Sequence, residues 1–383
     1  MECRREGRMR RRVAVLFLGE TLLVPHLFPI VERLAAIDPG LPIDLWVSTS
    51  VHEAMLSRWT RALEQVRVRR APGFRNVVDP GEGSSPPLPA KLPMLLRLVP
   101  YLACVPVVLC AEQTSLWLPR MFPWLPTRFV KTSHGVGSMS ARDDRRRMAA
   151  FHTLVPSEQE RQTYLARGMA PGRIVATGYV KAGFRQRTPA RTLFPEERQI
   201  LLYTPHWQPR RSSWPAWGEA VVAALTAQRT WNVILAPHQR LIERAPELRG
   251  VLEGVSNLPH VHCDIDSFAT VDGSYTAAAD LYLGDTSSQV IEYLMRPRPA
   301  IFLDPVGRDW QPDPSYAMWR AGEVVTDLTE LAPAIARAAH RHHAFVDAQR
   351  EIAAAALGDA SGAGAERAAQ EVLRVLAMPV RAR

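Results

Sequence analysis

Cysteine is scarce in this chain. Four residues, Cys3, Cys104, Cys110 and Cys263, are spread over 383 positions with no CxxC pair, so the spacing argues neither a zinc site nor a disulfide framework, and it fits a reducing, cytoplasmic compartment. Long hydrophobic runs are also missing. The longest uncharged apolar stretch, residues 98–111, is interrupted by Pro100 and Pro106. It falls short of the roughly 20 residues that a spanning helix requires. The apolar run that follows the arginine-rich start, residues 13–18, is short for a signal peptide and reads as a first buried strand. Acidic charge is modestly deficient, with 38 Asp and Glu against 47 Lys and Arg. Residues 1–12 hold six arginines against Glu2 and Glu6, so the remainder is only mildly basic. That excludes a dedicated nucleic-acid binder and suits a protein that handles anionic ligands.

What is present is the composition of a folded chain, with 47% hydrophobic and 22% charged residues, long enough for two or three domains. Short apolar runs alternate with helical stretches: strand 13–18, helix 28–37, strand 43–48 and a helix over 53–63. This is the βαβ rhythm of a parallel sheet covered on both faces. Strands follow at 107–109, 129–132, 153–156 and 174–178. The segment 71–92, with five prolines, reads as a mobile surface loop. A polar stretch over 181–197 reads as the linker, with the boundary near 185. The rhythm then restarts with strands at 200–203, 231–236, 280–284 and 300–303, separated by helices at 219–227 and 288–295. The expected organisation is a basic arm over 1–12, a Rossmann-like domain over 13–185 and a second over 186–383, facing a cleft, with an Ala-rich helical tail docked on the second.

Two constellations carry chemistry. After the strand ending at Gly284, the turn Asp285-Thr286-Ser287-Ser288 opens a helix, where backbone N–H groups and hydroxyls suit a phosphate. Glu292, four residues after Ser288, would lie within reach of a ribose. The alternative is that Asp285 or Thr286 is an ordinary helix cap and Glu292 a solvated residue. The second constellation is histidine at strand ends: His134 in Ser133-His134-Gly135-Val136-Gly137, His206 after Thr204-Pro205, and His238 after Ala236-Pro237. Such positions suit acid–base work, and each is equally open to a structural histidine in a turn. His260 and His262 lack the partners of a zinc site.

The ordered set Lys131-Thr-Ser-His-Gly135, Leu154-Val-Pro-Ser-Glu158 with Ile174-Val-Ala-Thr-Gly-Tyr179, Ile200-Leu-Leu-Tyr-Thr-Pro-His-Trp207, Val233-Ile-Leu-Ala-Pro-His238 and Ala279-Asp-Leu-Tyr-Leu-Gly-Asp-Thr-Ser-Ser288 resembles the CDP-glycerol glycerophosphotransferase family of teichoic-acid primases and polymerases. Looser matches at Asp359 to Ser361 and at Glu366-Arg367 extend it. The resemblance implies a GT-B fold with an acceptor-side N-terminal domain and a donor-side C-terminal domain. It implies His134 as the base on the acceptor hydroxyl, with Gly135, Gly137 and Ser157 on the acceptor side. It implies His238 on the donor diphosphate as an imidazolium, with Thr204, Pro205, His206, Asp285, Thr286, Ser287, Ser288 and Glu292 around the donor. The implied partners are CDP-glycerol or a similar activated donor and a glycan or polyprenyl-linked acceptor, with CMP released. No cofactor is called for, and a divalent ion is compatible with a diphosphate donor. The chain departs from the family at Thr286, at Gln239, at Ala236 where a basic residue is expected, and at His206 and Gln208. Glu292 is equally at home in GT-B enzymes that use UDP-sugars, including UDP-sugar 2-epimerases; a non-catalytic nucleotide-binding scaffold is the third reading. The arginine arm and the basic and aromatic residues Trp117, Arg120, Trp124 and Arg128 suggest contact with the anionic inner face of the plasma membrane, against a merely solvated arm.

Overall fold

The computed structural model describes residues 11–78, 87–136 and 145–379. They form two compact units, one comprising the described residues up to 136 with 145–186 and 356–379, the other 187–355.

The first unit is built on seven parallel strands: β1 (Val13–Phe17), β2 (Ile43–Thr49), β3 (Val66–Arg75), β4 (Val107–Cys110), β5 (Arg128–Thr132), β6 (His152–Val155) and β7 (Ile174–Ala176), in the order β3-β2-β1-β4-β5-β6-β7. β1, β2 and β4 are buried along their whole length, as strands covered by helices on both faces must be, which is why they read as apolar runs. β3 differs. Only Val66 and Ala71 are buried along it, with Arg69 bonding Asp44 at 2.6 Å and Arg70 bonding Glu53 at 2.8 Å, and Pro72 is tolerated because the strand lies at the sheet edge. The expected loop over 71–92 therefore begins as strand. Residues 79–86 lie outside the described residues, and a helix starts at Lys91.

The second unit carries six parallel strands: β8 (Ile200–Thr204), β9 (Asn232–Leu235), β10 (Val261–Cys263), β11 (Leu281–Gly284), β12 (Ala300–Leu303) and β13 (Glu323–Val325), in the order β10-β9-β8-β11-β12-β13. In both sheets the chain reverses its direction of travel once, between β1 and β4 in the first and between β8 and β11 in the second. Ligands of open parallel sheets bind beyond the strands' carboxyl ends at such a reversal.

The helical tail divides. The helix Leu331–Arg341 packs on β12 and β13 of the second unit, but the last helix, Gly364–Ala377, packs on the helix Phe28–Ile37 of the first. The expectation that 186–383 would stay together thus fails for the final segment. The docking is specific: Asp359 O accepts the Tyr179 N–H at 2.9 Å, Arg367 Nε donates to Thr177 O at 2.7 Å, and Arg367 pairs with Asp359 at 2.5 Å. A Cβ on Gly364 would stand 2.9 Å from the carbonyl carbon of Gly178, so only glycine lets the helix approach this closely. Arg128 Nη1 donates to Val375 O and Met378 O at 2.9 and 2.8 Å, and Nη2 donates to Pro379 O. It caps the helix C-terminus instead of forming part of a membrane-facing patch, whereas Trp117 and Trp124 are exposed. Residues 1–10 of the basic arm lie outside the described residues; Arg11 and Arg12 pair with Asp38 and Asp44. Among the described residues no helix is long and apolar enough to cross a membrane.

Candidate nucleotide-handling site

In the second unit, the adjacent strands β8 and β9 deliver His206 and His238 to the same end of the sheet, beside the reversal. Their rings lie 5.9 Å apart, nearly edge to face, and Trp207 closes the group at 5.9 Å from His206 and 6.0 Å from His238. The loops that carry them are joined, since His238 N donates to Pro205 O at 3.2 Å. His206 Nδ1 accepts the Gln208 N–H at 3.1 Å, and His238 Nδ1 accepts the Arg240 N–H at 3.2 Å. A ring nitrogen that accepts an N–H is unprotonated, so each imidazole carries its proton on Nε2. Burial lowers His206 to about 4 and His238 to about 3, assisted by Arg211 and by His206 with Arg240 respectively. The imidazolium expected at His238 is therefore not its resting form; both rings are neutral N–H donors.

The turn after β11 is less accessible than its sequence suggests. Asp285 is fully buried and accepts the N–H groups of His206 at 2.8 Å and Ser213 at 3.1 Å, bracing the β8 loop from below. Burial pushes its carboxyl up to about 7 against the pull of those bonds. Thr286 is also buried, its hydroxyl donating to Ser315 O at 2.5 Å. Thr204 donates to the Tyr282 hydroxyl at 2.6 Å, and Pro205 is buried. These four residues are buried and bonded within the frame of the strand ends. Ser287 caps the helix Ser288–Tyr293, accepting the Gln289 N–H at 3.3 Å, and Ser288 is exposed. Glu292 is buried, not solvated.

Sequence reasoning assigned no role to three neighbours of the imidazoles. Arg244 and Arg240 lie over the Trp207 ring at 4.8 and 5.5 Å. Arg211 Nη2 donates to Ser315 Oγ at 3.0 Å. The signal was adjacency: Trp207 follows His206, and Arg240 is two residues beyond His238.

In the first unit His134 follows β5. Its Nδ1 donates to Ala111 O at 2.8 Å, which leaves Nε2 as the basic nitrogen of the neutral ring, the reverse of the other two histidines. Gly135, at φ +75°, supplies the left-handed turn that follows. Ser157, expected beside the acceptor, is buried and caps the helix Glu158–Ala166 through the Glu160 N–H at 3.2 Å. Glu160 in turn accepts the Ser133 hydroxyl at 2.7 Å and pairs with Arg147 at 3.3 Å, fixing the residue before His134. Gly137 lies outside the described residues. Lys131, on β5, is fully buried, its ammonium donating to Thr132 O, and burial lowers it to about 7. His260 accepts from Arg229 Nη1 at 2.8 Å and donates to Thr226 O at 3.1 Å, His262 bonds the Tyr275 hydroxyl at 3.0 Å, and no metal-ligating cluster occurs among the described residues.

Two parallel-sheet units of this kind, each with one reversal and a C-terminal helix returning to the first, define the GT-B fold. Solved structures similar to this chain include the wall teichoic acid polymerase TagF (TM-score 0.64, 13% identity, 96% of this chain and 89% of that one). They also include a putative UDP-N-acetylglucosamine 2-epimerase from Listeria monocytogenes (TM-score 0.61, 15% identity, 96% of each chain). A third is the UDP-GlcNAc 2-epimerase of Neisseria meningitidis bound to UDP-GlcNAc (TM-score 0.59, 10% identity, 95% of this chain and 99% of that one). At these identities the likeness is one of fold. No protein family matches the chain by sequence, and no curated protein does.

Proposed function

We propose that this protein is a GT-B transferase that moves glycerol phosphate, or a related polyol phosphate, from a CDP-activated donor to a glycan or lipid-linked acceptor, releasing CMP. The observation that carries the reading is the opposite protonation of the strand-end histidines. His134 offers a basic Nε2 to an acceptor hydroxyl, while His206 and His238 offer Nε2–H groups to phosphate oxygens. In the reaction the acceptor oxygen bonds to the β-phosphorus, the bond to the bridging oxygen breaks, CMP carries away that electron pair, and the hydroxyl proton passes to His134. Preset N–H donors lower the barrier where charge gathers on the leaving phosphate. The first unit then serves the acceptor and the second the donor, at the cytoplasmic face of the membrane. Similarity in fold to the wall teichoic acid polymerase supports the choice of donor.

A second reading, a UDP-sugar transferase or epimerase, is favoured by buried Glu292 and by the epimerase structures that match over the same length. The test follows CMP release from CDP-glycerol with lipid-linked acceptors, beside UDP-GlcNAc turnover. CMP release that collapses in His134→Ala and His238→Ala is the expected result. Turnover of UDP-GlcNAc alone, or full activity in both variants, overturns it.

A further inference from the structure

The histidines of the second unit are arranged to donate hydrogen bonds and not to supply charge. Each Nδ1 already receives a backbone N–H, so a second proton there would face a donor at 3.1 or 3.2 Å. Burial acts in the same direction on both rings. A diphosphate diester nevertheless brings one negative charge on each phosphate, and taking it out of water without cations is costly. Among the described residues the charged groups that act on this end of the sheet include Arg211, Arg240 and Arg244, the inward-turned Asp285 with Arg308 and its partner Asp304, and Asp313 beside Arg211.

Two of the guanidiniums are held in place. Arg211 ends the short turn Pro209–Arg211, whose Arg210 carbonyl accepts from Arg308 Nη2 at 3.1 Å and from the Tyr316 hydroxyl at 3.2 Å, while its own Nη2 is fixed on Ser315. Arg240 rests over Trp207, the ring that lies against both imidazoles. The first acts on His206 and the second on His238. We propose that Arg211 and Arg240 supply the positive charge of the donor site, flanking the diphosphate of a nucleotide donor while His206 and His238 stay neutral and donate hydrogen bonds to it. This rests on the reading of the second unit as the donor-binding unit.

The experiment is calorimetric titration of the full chain with CDP-glycerol and with UDP-GlcNAc, whose diphosphates do not titrate between pH 5.5 and 8, and with CMP. Wild type binds one of the two donors with an affinity that does not climb as pH falls below 6.5, where the Asp285 carboxyl, at about 7, is already largely protonated. Arg211→Met and Arg240→Met each weaken it about tenfold or more, and weaken CMP less. Arg249→Met, which removes an exposed charge from another helix, changes it less than about twofold. Arg240 is exposed, so R240M tests the proposal even where R211M loses the turn it anchors. Wild-type affinity in both arginine variants, or affinity that climbs about tenfold per unit as pH falls below 6.5, overturns the inference while leaving the donor reading intact. Failure of the wild type to bind either donor overturns the donor reading and this inference with it.

Discussion

Lys131 offers the sharpest energetic test. It has no exposure to solvent and, among the described residues, its ammonium donates to the Thr132 carbonyl alone, with Glu160 and Glu112 near enough to favour the charge but already engaged by Arg147 and Lys91. Burial holds it at about 7 against an ordinary 10.5. Below pH 7 folded and unfolded chains both carry the proton, and folding bears the full cost of burying the charge. Between 7 and 10.5 the unfolded chain keeps the proton that the folded chain has released, so stability rises with pH. Each full unit above the midpoint is worth about 1.4 kcal/mol, and because the folded lysine is half titrated at pH 7 the gain from pH 7 to 9 is about 2 kcal/mol. Lys131→Met removes the group and leaves both carboxylates paired. At pH 7 the variant is more stable by several kcal/mol, and its lead shrinks by about 2 kcal/mol on going to pH 9. Hydrogen exchange of β5 and β6 amides reads the first unit alone, and the difference between variant and wild type cancels other titrations. A variant less stable than wild type at pH 7, or a difference that does not change with pH, refutes the reasoning.

Gly364→Val drives a side chain into the Gly178 backbone and costs more than about 2 kcal/mol in the first unit, visible as a lowered melting temperature. Thr286→Val removes the hydroxyl's bond to the Ser315 carbonyl and costs about 1 kcal/mol in urea unfolding, with nucleotide affinity unchanged; lost affinity at unchanged stability would return Thr286 to the ligand. Arg128→Met frays the last helix by about 1–2 kcal/mol, read by hydrogen exchange over 370–379, without altering flotation on anionic vesicles.

The strands buried on both faces were legible because both faces demand apolar residues: β1 and β8 are runs such as Val13 to Phe17 and Ile200 to Tyr203. β3 was not, since an edge strand tolerates Arg67, Arg69 and Arg70 on its open positions and a proline in its ladder. The helix Lys91–Leu102 was hidden by Pro93, which falls in the first turn, and Pro100 near its end, although Met94, Leu95, Leu98 and Leu102 form its buried stripe. The three strand-end histidines were legible by position alone, since each follows a buried strand, β5, β8 or β9. Which of Asp285, Thr286, Ser157 and their neighbours turn inward was not, because a capping serine and a ligand-binding serine have the same local sequence.

The first unit draws on residues near both ends of the sequence, whereas the described residues of the second form one segment, 187–355. During synthesis the amino-terminal sheet must therefore wait for the final helix, and its nearly complete form has the face of the helix Phe28–Ile37 still uncovered while everything in between is being made. The later-made unit needs nothing from either end and is free to fold first. Loss of the last 20 residues would thus be felt at the opposite end of the sequence, in the unit that carries His134, before it was felt where the chain was cut.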